Sequence, residues 1–331
     1  MRLMRRVLVV YLLAAVLLGF RVLSMGEQPA GGTSAPASPG GNAAWIDQHW
    51  VQSPPSPSSI APLCTQLKNH QIGTIFVHVG PADASGSIAE GRAPYAGRFV
   101  TEFHLLCPQV RVLAWIGQLL PSWDGLVNLQ NSSTRGGLAR TAARFVALGY
   151  DGIQYDLEPV ANGDPAFLSL LRLTRSAIGG HWLAVAGPAI TPAEGMPRLP
   201  RLRLPLLPWS SSYYARVGAL VDELDPMLYI TGLGNDADYA KFVSVQARAF
   251  TRTLPSATIR LGLPAFSGRN QFFDDRAENV PTALLGITRA YGNGAIPKAL
   301  TGIAIYPMWD MTPTGWVALD NWLALSHRRN S

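Results

Sequence analysis

The sequence predicts an α/β fold, a (β/α)8 TIM barrel, on two observations. Short apolar runs rich in β-branched residues alternate with amphipathic segments of helix length, and about eight such units follow one another. Strands that alternate with helices favour parallel pairing, and eight such units are typical of a closed barrel. The chain of 331 residues, 48% hydrophobic and 15% charged, is long and apolar enough for one large core of this kind.

The elements of the predicted barrel can be placed in order along the chain. The strand candidates are Ala44–Val51, Thr74–Val79, Arg111–Ile116, Gly152–Glu158, Trp182–Ala186, Met227–Ile230, Ile259–Pro264 and Gly302–Tyr306. The helix candidates between and after them include Arg135–Leu148, Ala166–Ile178, Tyr239–Leu254, Thr282–Tyr291 and Thr312–Leu325. A doubly wound open sheet is the alternative arrangement, but no Gly-rich phosphate loop follows the first strand.

The N-terminal residues differ in composition from the rest of the chain. Residues 1–25 start with a basic segment and continue with the uncharged run Val7–Phe20, which is the pattern of a secretory signal peptide. This run is shorter than the roughly 20 residues of a bilayer span. No clear cleavage site follows it, so an uncleaved N-terminal membrane anchor is the alternative. Residues 26–43, rich in Gly, Pro, Ser and Ala, predict a flexible linker, and the barrel is expected over 44–331. We therefore expect an extracytoplasmic protein, either secreted or tethered to a membrane through its N-terminus.

The positive charge of the chain does not indicate a nucleic-acid partner. Four arginines (Arg2, Arg5, Arg6 and Arg21) lie in residues 1–25, which contain no acidic residue, and taking these four from the formal net charge of +6 leaves +2. No Arg- or Lys-rich helix with interleaved aromatic residues is visible elsewhere, so we expect no nucleic-acid binding.

The two cysteines fit an exported protein with one disulfide. Cys64 falls in the first predicted helix and Cys107 follows the second, and these helices are neighbours on a barrel; two isolated thiols are the alternative. The six histidines are scattered without a metal-ligand spacing, so we expect no metal and no cofactor. We also expect a monomer.

The segment Tyr150–Pro159 carries the clearest chemical signal. Because side chains alternate along a strand, Gln154, Asp156 and Glu158 project from one face, with successive same-face residues about 6–7 Å apart. Two carboxyl groups this close oppose each other's ionisation, so one of them can hold a proton near neutral pH. A protonated carboxyl beside an ionised one is the equipment for cleaving a glycosidic bond. An acidic loop that only caps the next helix is the alternative.

Three segments resemble glycoside hydrolase family 18, the chitinases and endo-β-N-acetylglucosaminidases. The run 151–158 matches the family's Asp-Gly-x-Asp-x-Asp-x-Glu except that Gln154 replaces the middle Asp; 261–269 resembles its seventh strand, and 227–229 resembles the Met-x-Tyr-Asp of its sixth. The sequence departs from the family at Ile230, which stands in place of that Asp, and at Tyr306, which stands in place of the eighth-strand Trp.

The resemblance and the strand order together assign the candidate site. The resemblance implies that Glu158 is the general acid, that Asp156 stabilises the intermediate and that Tyr229 bonds the acetamido group. Function sits at the carboxyl ends of the strands in such barrels. We expect Gln154 to hydrogen-bond Asp156 without sharing a proton with it. The substrate-binding candidates are Gln154, Asp151, Tyr306, Trp309, Phe266, Arg269 and Trp45. The alternative for the aromatic residues among them is that they only fill the hydrophobic core and do not contact substrate.

The predicted mechanism depends on the absence of a carboxylate in and after the seventh strand. Thr258–Gln271 contains no Asp or Glu, so the ordinary retaining mechanism lacks its second carboxylate, whereas substrate-assisted chemistry uses the 2-acetamido carbonyl of the sugar. The sequence therefore predicts an exported glycosidase, chitinase-like in its resemblance, that cleaves N-acetylglucosamine-containing carbohydrate. A barrel that binds such glycans without cleaving them is the alternative.

Overall fold

The computed structural model describes residues 41–199, 208–270, 272–292 and 295–330. The predicted export segment and nearly all of the predicted linker lie outside these residues. Eight parallel strands close into a barrel in chain order, and the last strand pairs with the first through Ala43 and Ala304. The predicted TIM barrel is confirmed.

The strands of the barrel are β1 (Asn42–Ile46), β2 (Ile72–His78), β3 (Arg111–Leu119), β4 (Gly152–Glu158), β5 (Trp182–Gly187), β6 (Glu223–Pro226), β7 (Thr258–Pro264) and β8 (Leu300–Tyr306). The helices are α1 (His49–Gln52), α2 (Pro57–Asn69), α3 (Ala96–Leu106), α4 (Ser132–Ala147), α5 (Pro165–Ile178), α6 (Ser211–Gly218), α7 (Asp236–Thr253), α8 (Val280–Tyr291) and α9 (Pro313–Asn330). None of the helices in the described part of the chain is long and apolar enough to cross a membrane.

Helix α5 shows how local chemistry places an element against the barrel. The Asp164 side chain accepts the Ala166 backbone N–H at 2.8 Å, which caps the helix, and Pro165 occupies the first helical turn. Gly179 ends the helix with φ +58°, a left-handed value that favours glycine. The apolar face then packs on β4, where the Tyr155 hydroxyl lies 2.9 Å from the Thr174 hydroxyl. Helix α5 therefore covers the outer face of β4 and leaves the inner face to the barrel interior.

Two strand predictions differ from the structure by more than a few residues. The first predicted strand ran to Val51, but β1 begins at Asn42 and ends at Ile46, and α1 follows it. The sixth was predicted at Met227–Ile230, but β6 is Glu223–Pro226. The two acidic residues of β6, Glu223 and Asp225, are both buried within the barrel. Inside the barrel an ion pair joins Glu223 to Arg260, and Trp182 Nε1 donates to Glu223 at 2.7 Å, so the interior satisfies this carboxylate.

The predicted disulfide is confirmed. Cys64 in α2 bonds to Cys107, the residue after α3, with a Cα separation of 5.7 Å. The bond joins neighbouring helices on the outside of the barrel and closes a loop with a sequence separation of 43 residues.

We expect the Cys64→Ser/Cys107→Ser double variant to lose about 2–4 kcal/mol of unfolding free energy, because the bond restricts the unfolded chain over this loop. Chemical denaturation of the two proteins under non-reducing conditions measures the difference. A reducing agent should lower the stability of the wild type and leave that of the double variant unchanged. Equal stability of the two proteins would contradict a stabilising disulfide.

Candidate active site

The inner face of β4 carries the candidate carboxylates to the carboxyl end of the barrel. Gln154, Asp156 and Glu158 share this face, whereas Tyr155 points outward to Thr174. Gln154 is fully buried, and Asp156 and Glu158 are partly exposed at the barrel mouth. The same-face arrangement predicted from strand alternation is therefore present.

Asp156 is held by an indole from the neighbouring strand. Trp115 Nε1 on β3 donates to Asp156 Oδ2 at 3.0 Å, while Asp156 Oδ1 is buried and has no hydrogen-bond partner in the described part of the chain. Gly117 lies opposite Asp156 in the strand register, and a Cβ there would meet Trp115 Nε1 at 3.0 Å. The glycine therefore leaves space for the indole that orients the carboxylate.

Burial and mutual repulsion raise the pKa of both carboxyl groups. The pKa of Glu158 rises to about 8 because of burial and then because of the Asp156 charge. Burial raises the pKa of Asp156 to about 6, although the Trp115 hydrogen bond favours its ionised form. At neutral pH the pair therefore holds one proton, with Glu158 the protonated member and Asp156 the anion.

Tyr306, at the end of β8, is the centre of an aromatic floor. Its ring stacks on Tyr229 with a centroid separation of 5.3 Å and meets Trp45 and Trp115 edge-on at 5.8 and 6.0 Å. Trp309, with 47% of its surface exposed, meets Tyr306 edge-on at 6.2 Å. Burial raises the pKa of Tyr306, and the charges of Asp156 and Glu158 raise it further, so the floor lies within the field of both carboxylates.

Tyr229 lies three residues beyond the end of β6 but still reaches the floor. Phe266, which follows β7, meets its ring edge-on at 5.8 Å, so the two predicted residues do lie together. Burial raises the pKa of Tyr229 well above its ordinary value, as do the charges of Tyr306, Asp156 and Glu158. Its hydroxyl therefore remains a neutral hydrogen-bonding group beside the acid pair.

Gln154 and Trp45 are buried in the barrel interior and hydrogen-bond each other. Trp45 Nε1 donates to Gln154 Oε1 at 2.7 Å, and Gln154 Nε2 donates to Asp225 Oδ2 at 2.7 Å. Both ends of the amide are thus occupied, and the expected hydrogen bond from Gln154 to Asp156 is wrong. Trp45 is only 1% exposed, and its assignment to substrate binding stays a prediction.

Asp151 and Arg269 are separated from the carboxylates. Asp151 precedes β4, at the amino end of the barrel, where it accepts the Val112 backbone N–H at 2.7 Å and lies 3.0 Å from His104. It ties β4 to β3 and α3 at the amino end of the barrel, away from the acid pair, and its assignment to substrate binding stays a prediction. Arg269 lies in the loop after β7, largely exposed, and pairs with Asp274 at 3.2 Å. Its ion pair with Asp274 directs it to the loop after β7, and no hydrogen bond or ion pair among the described residues joins it to the acid pair.

Two interior residues of the site escaped sequence reasoning. Burial and the neighbouring Glu223 charge raise the pKa of Asp225, the carboxyl under Gln154, well above its ordinary value. His78, on β2, packs on the Trp115 ring at 4.5 Å, and burial lowers its pKa to about 4. Both shifts favour the neutral form of the side chain. Both side chains point into the barrel, Asp225 from β6 and His78 from β2, and this position could have been predicted from the strands. The sixth strand was predicted too late in the sequence, so Asp225 fell outside it.

The sequence has no match among family models and none among curated proteins. Solved structures do match the fold. The spore cortex-lytic enzyme SleL of Bacillus cereus has a TM-score of 0.57 and 13% identity, covering 91% of this chain and 78% of that chain. A chitinase from Chromobacterium violaceum has a TM-score of 0.57 and 16% identity, covering 86% of this chain and 99% of that chain.

A plant enzyme extends the likeness. The family GH18 chitinase of Cycas revoluta, solved as a complex with allosamidin, has a TM-score of 0.55 and 12% identity, covering 88% of this chain and 99% of that chain. Identities this low bear on the fold alone, so the arrangement of Asp156 and Glu158 has to carry the chemistry. The chain therefore has the barrel fold of these chitinases and of the cortex-lytic enzyme.

Proposed function

We propose that this protein is a glycoside hydrolase that cleaves N-acetylglucosamine-containing glycans. The observation that carries the proposal is the acid pair at the mouth of the barrel, in which Glu158 keeps its proton up to about pH 8 beside ionised Asp156. The pair stands over the aromatic floor centred on Tyr306, and aromatic rings of this kind stack on sugar faces. A protonated acid, an anion and a stacking surface are the groups that glycosidic cleavage requires.

The proposed mechanism is substrate-assisted. Glu158 protonates the glycosidic oxygen as the bond to the anomeric carbon breaks, and the 2-acetamido carbonyl oxygen of the same sugar attacks that carbon. The positively charged oxazolinium intermediate forms beside Asp156, whose carboxylate is oriented by Trp115. Tyr229 donates a hydrogen bond to the acetamido group. The protein needs no second carboxylate nucleophile, and the residues from Thr258 to Asn270 contain none.

The solved structures that share the fold support the choice of substrate. A class V chitinase from tobacco is described in complex with NAG4, with a TM-score of 0.55 and 12% identity. An assay on fluorogenic N-acetylglucosamine oligomers tests the proposal directly. Release of the fluorophore that depends on Glu158 is expected, and a wild-type protein without measurable release would contradict the proposed activity.

The activity is expected to follow a bell-shaped pH profile. The value of kcat/KM should rise through about pH 6 as Asp156 ionises and fall through about pH 8 as Glu158 loses its proton. In the Asp156→Asn variant the repulsion is removed, so the alkaline limb of the residual activity should move to lower pH. An alkaline limb of the wild type below pH 6 would contradict the raised pKa of Glu158.

A barrel that binds glycans without cleaving them is the second candidate. Ile230 favours it, since this residue replaces the family's Asp and adopts a left-handed φ of +59°, which a β-branched side chain rarely does. The acid pair favours the enzyme, because a binding protein has no need of a protonated Glu158. Binding of N-acetylglucosamine oligomers without hydrolysis at any pH from 5 to 9 would identify the non-catalytic barrel.

We also propose that the barrel works outside the cytoplasm, secreted or tethered through residues 1–25. The basic and then apolar composition of these residues supports export, as does the Cys64–Cys107 disulfide, since such bonds persist in oxidising compartments. Cell fractionation tests the proposal. Full-length protein in the cytoplasm with both cysteines reduced would overturn it.

A further inference from the structure

A pocket of about 360 Å³ opens beside the aromatic floor, outside the barrel. It lies between α2 and the start of α9, at the carboxyl ends of β1 and β8. Its lining includes three tryptophans, two methionines and one acidic residue: Trp50, Trp309, Trp316, Met308, Met311 and Asp47. Among the described residues that line it, Asp47 alone has an ionisable side chain.

The Asp47 carboxylate lacks a cationic partner. One of its oxygens accepts the His49 backbone N–H at 3.0 Å, and no basic side chain forms an ion pair with it in the described part of the chain. The charge of His49, whose ring lies 3.3 Å from the Ser53 hydroxyl, acts on this carboxylate without an ion pair. Burial raises the pKa of Asp47, although His49 partly offsets this. A cation supplied by a ligand would stabilise the carboxylate.

Each of the three tryptophans packs against another ring of the protein. Trp316 stacks on His70 at 4.0 Å, Trp50 lies against Phe99 at 6.0 Å, and Trp309 meets Tyr306 edge-on. Each indole therefore has a ring contact within the protein in the absence of a ligand. Indole faces attract cations electrostatically, and this attraction adds to that of a nearby carboxylate. The pocket thus combines apolar walls with a single negative charge.

We propose that this pocket binds a sugar residue with a free amino group, such as a glucosamine unit of a partly N-deacetylated glycan. The protonated amine pairs with Asp47 while the ring lies against the tryptophans. Trp309 belongs both to the pocket wall and to the floor, so the amino sugar occupies a place next to the cleaved residue. The inference rests on the proposed function and names its substrate class.

An N-acetylated sugar fits this chemistry less well. Its amide nitrogen carries no positive charge, so Asp47 would remain without a counter-charge in partly buried surroundings. The volume lies at the lower end of the range for small-molecule sites, which suits one or two sugar rings. A neutral sugar or an apolar ligand would bind with equal strength when Asp47 is neutralised.

Binding without turnover tests the inference. In the Glu158→Gln protein, calorimetry at about pH 6 and low salt should be carried out with two probes, the glucosamine tetramer and the N-acetylglucosamine tetramer. Asp47→Asn should weaken binding of the glucosamine tetramer about tenfold or more and leave the acetylated tetramer unaffected. Asp310→Asn is the matched control, because Asp310 follows β8 but does not line the pocket.

The outcomes separate this inference from the proposed function. Equal losses for both tetramers, or no loss for either, would overturn the amine site even if the wild type hydrolyses N-acetylglucosamine oligomers. Failure of the wild type to hydrolyse any oligomer, with Asp47-dependent binding of the glucosamine tetramer retained, would overturn the proposed activity and keep the site.

Discussion

Replacing Glu158 by Gln is expected to lower kcat by about 10²–10⁴-fold while glycan affinity changes little. The amide keeps the shape of the side chain but cannot transfer a proton to the glycosidic oxygen. The aromatic floor and Tyr229 are untouched by the change, so the binding surface remains. Steady-state kinetics and calorimetry on the same N-acetylglucosamine oligomer measure the two effects separately.

The same variant should be more stable than the wild type, and more so as pH rises. The pKa of Glu158 is about 8 in the folded protein and near 4.5 when unfolded, so the unfolded state is favoured progressively as pH rises between these values. A neutral amide removes this dependence. Thermal unfolding at pH 5 and pH 8 should show the larger gain at pH 8. The exposed Glu90→Gln variant is the control, with neither effect expected. Full activity of Glu158→Gln would contradict the assignment of the general acid.

Strand alternation made the acid pair predictable, because it depends only on local geometry. The order Gln154, Asp156, Glu158 along one strand fixes a shared face whatever surrounds it. The partners of these residues come from other strands, and no spacing in the sequence reveals them. Trp115, which donates to Asp156, lies on β3, and Asp225, which accepts from Gln154, lies on β6. The partners of Gln154 and Asp156 therefore depend on how the strands pair in the closed barrel, which strand alternation alone does not predict.

The wrong position of β6 had a physical cause. Glu-Leu-Asp-Pro does not look like a buried strand, since two of its four residues are acidic. Burial alone would raise the pKa of Glu223, but the charge of Arg260 and hydrogen bonds lower it, whereas burial and the Glu223 charge raise the pKa of Asp225. The two neighbouring carboxyl groups are thus shifted in opposite directions, Glu223 toward its ionised form and Asp225 toward its neutral form. Charge compensation of this kind depends on tertiary contacts and is not visible in a single segment.

The buried hydrogen-bond partners of Gln154 also explain why a neutral amide fits at this position. A carboxylate at this position would face Asp225, and burial would oppose its ionisation. The neutral amide instead joins Asp225 to Trp45, and Trp45 in turn supports Tyr306. Gln154 is therefore a positioning residue under the floor, and Asp156 is left as the single anion beside Glu158.

Removing the 2-acetamido group from the substrate is expected to abolish cleavage. The fluorogenic glucose and glucosamine counterparts of an N-acetylglucosamine oligomer carry a hydroxyl or an amine at this carbon. Neither group can supply the carbonyl oxygen that attacks the anomeric carbon. An intramolecular nucleophile is worth effective concentrations of about 10⁵ M or more, so the loss should exceed that from Glu158→Gln. Rates on the three oligomers at pH 7 measure it.

Among the described residues, Asp156 is the only carboxylate found to act on Glu158, and no further one stands in for the missing nucleophile. The strand β7 and its following residues to Asn270 lack a carboxylate, and Asp225 is buried and bonded to Gln154. Calorimetry with Glu158→Gln provides the control, because the glucosamine oligomer should still bind through Asp47 although it is not cleaved. Equal rates on the acetylated and non-acetylated oligomers would require another nucleophile. Asp156, the only carboxylate beside Glu158 in the part of the chain that the structure describes, would then have to attack carbon itself, and its role as stabiliser of an oxazolinium ion would be wrong.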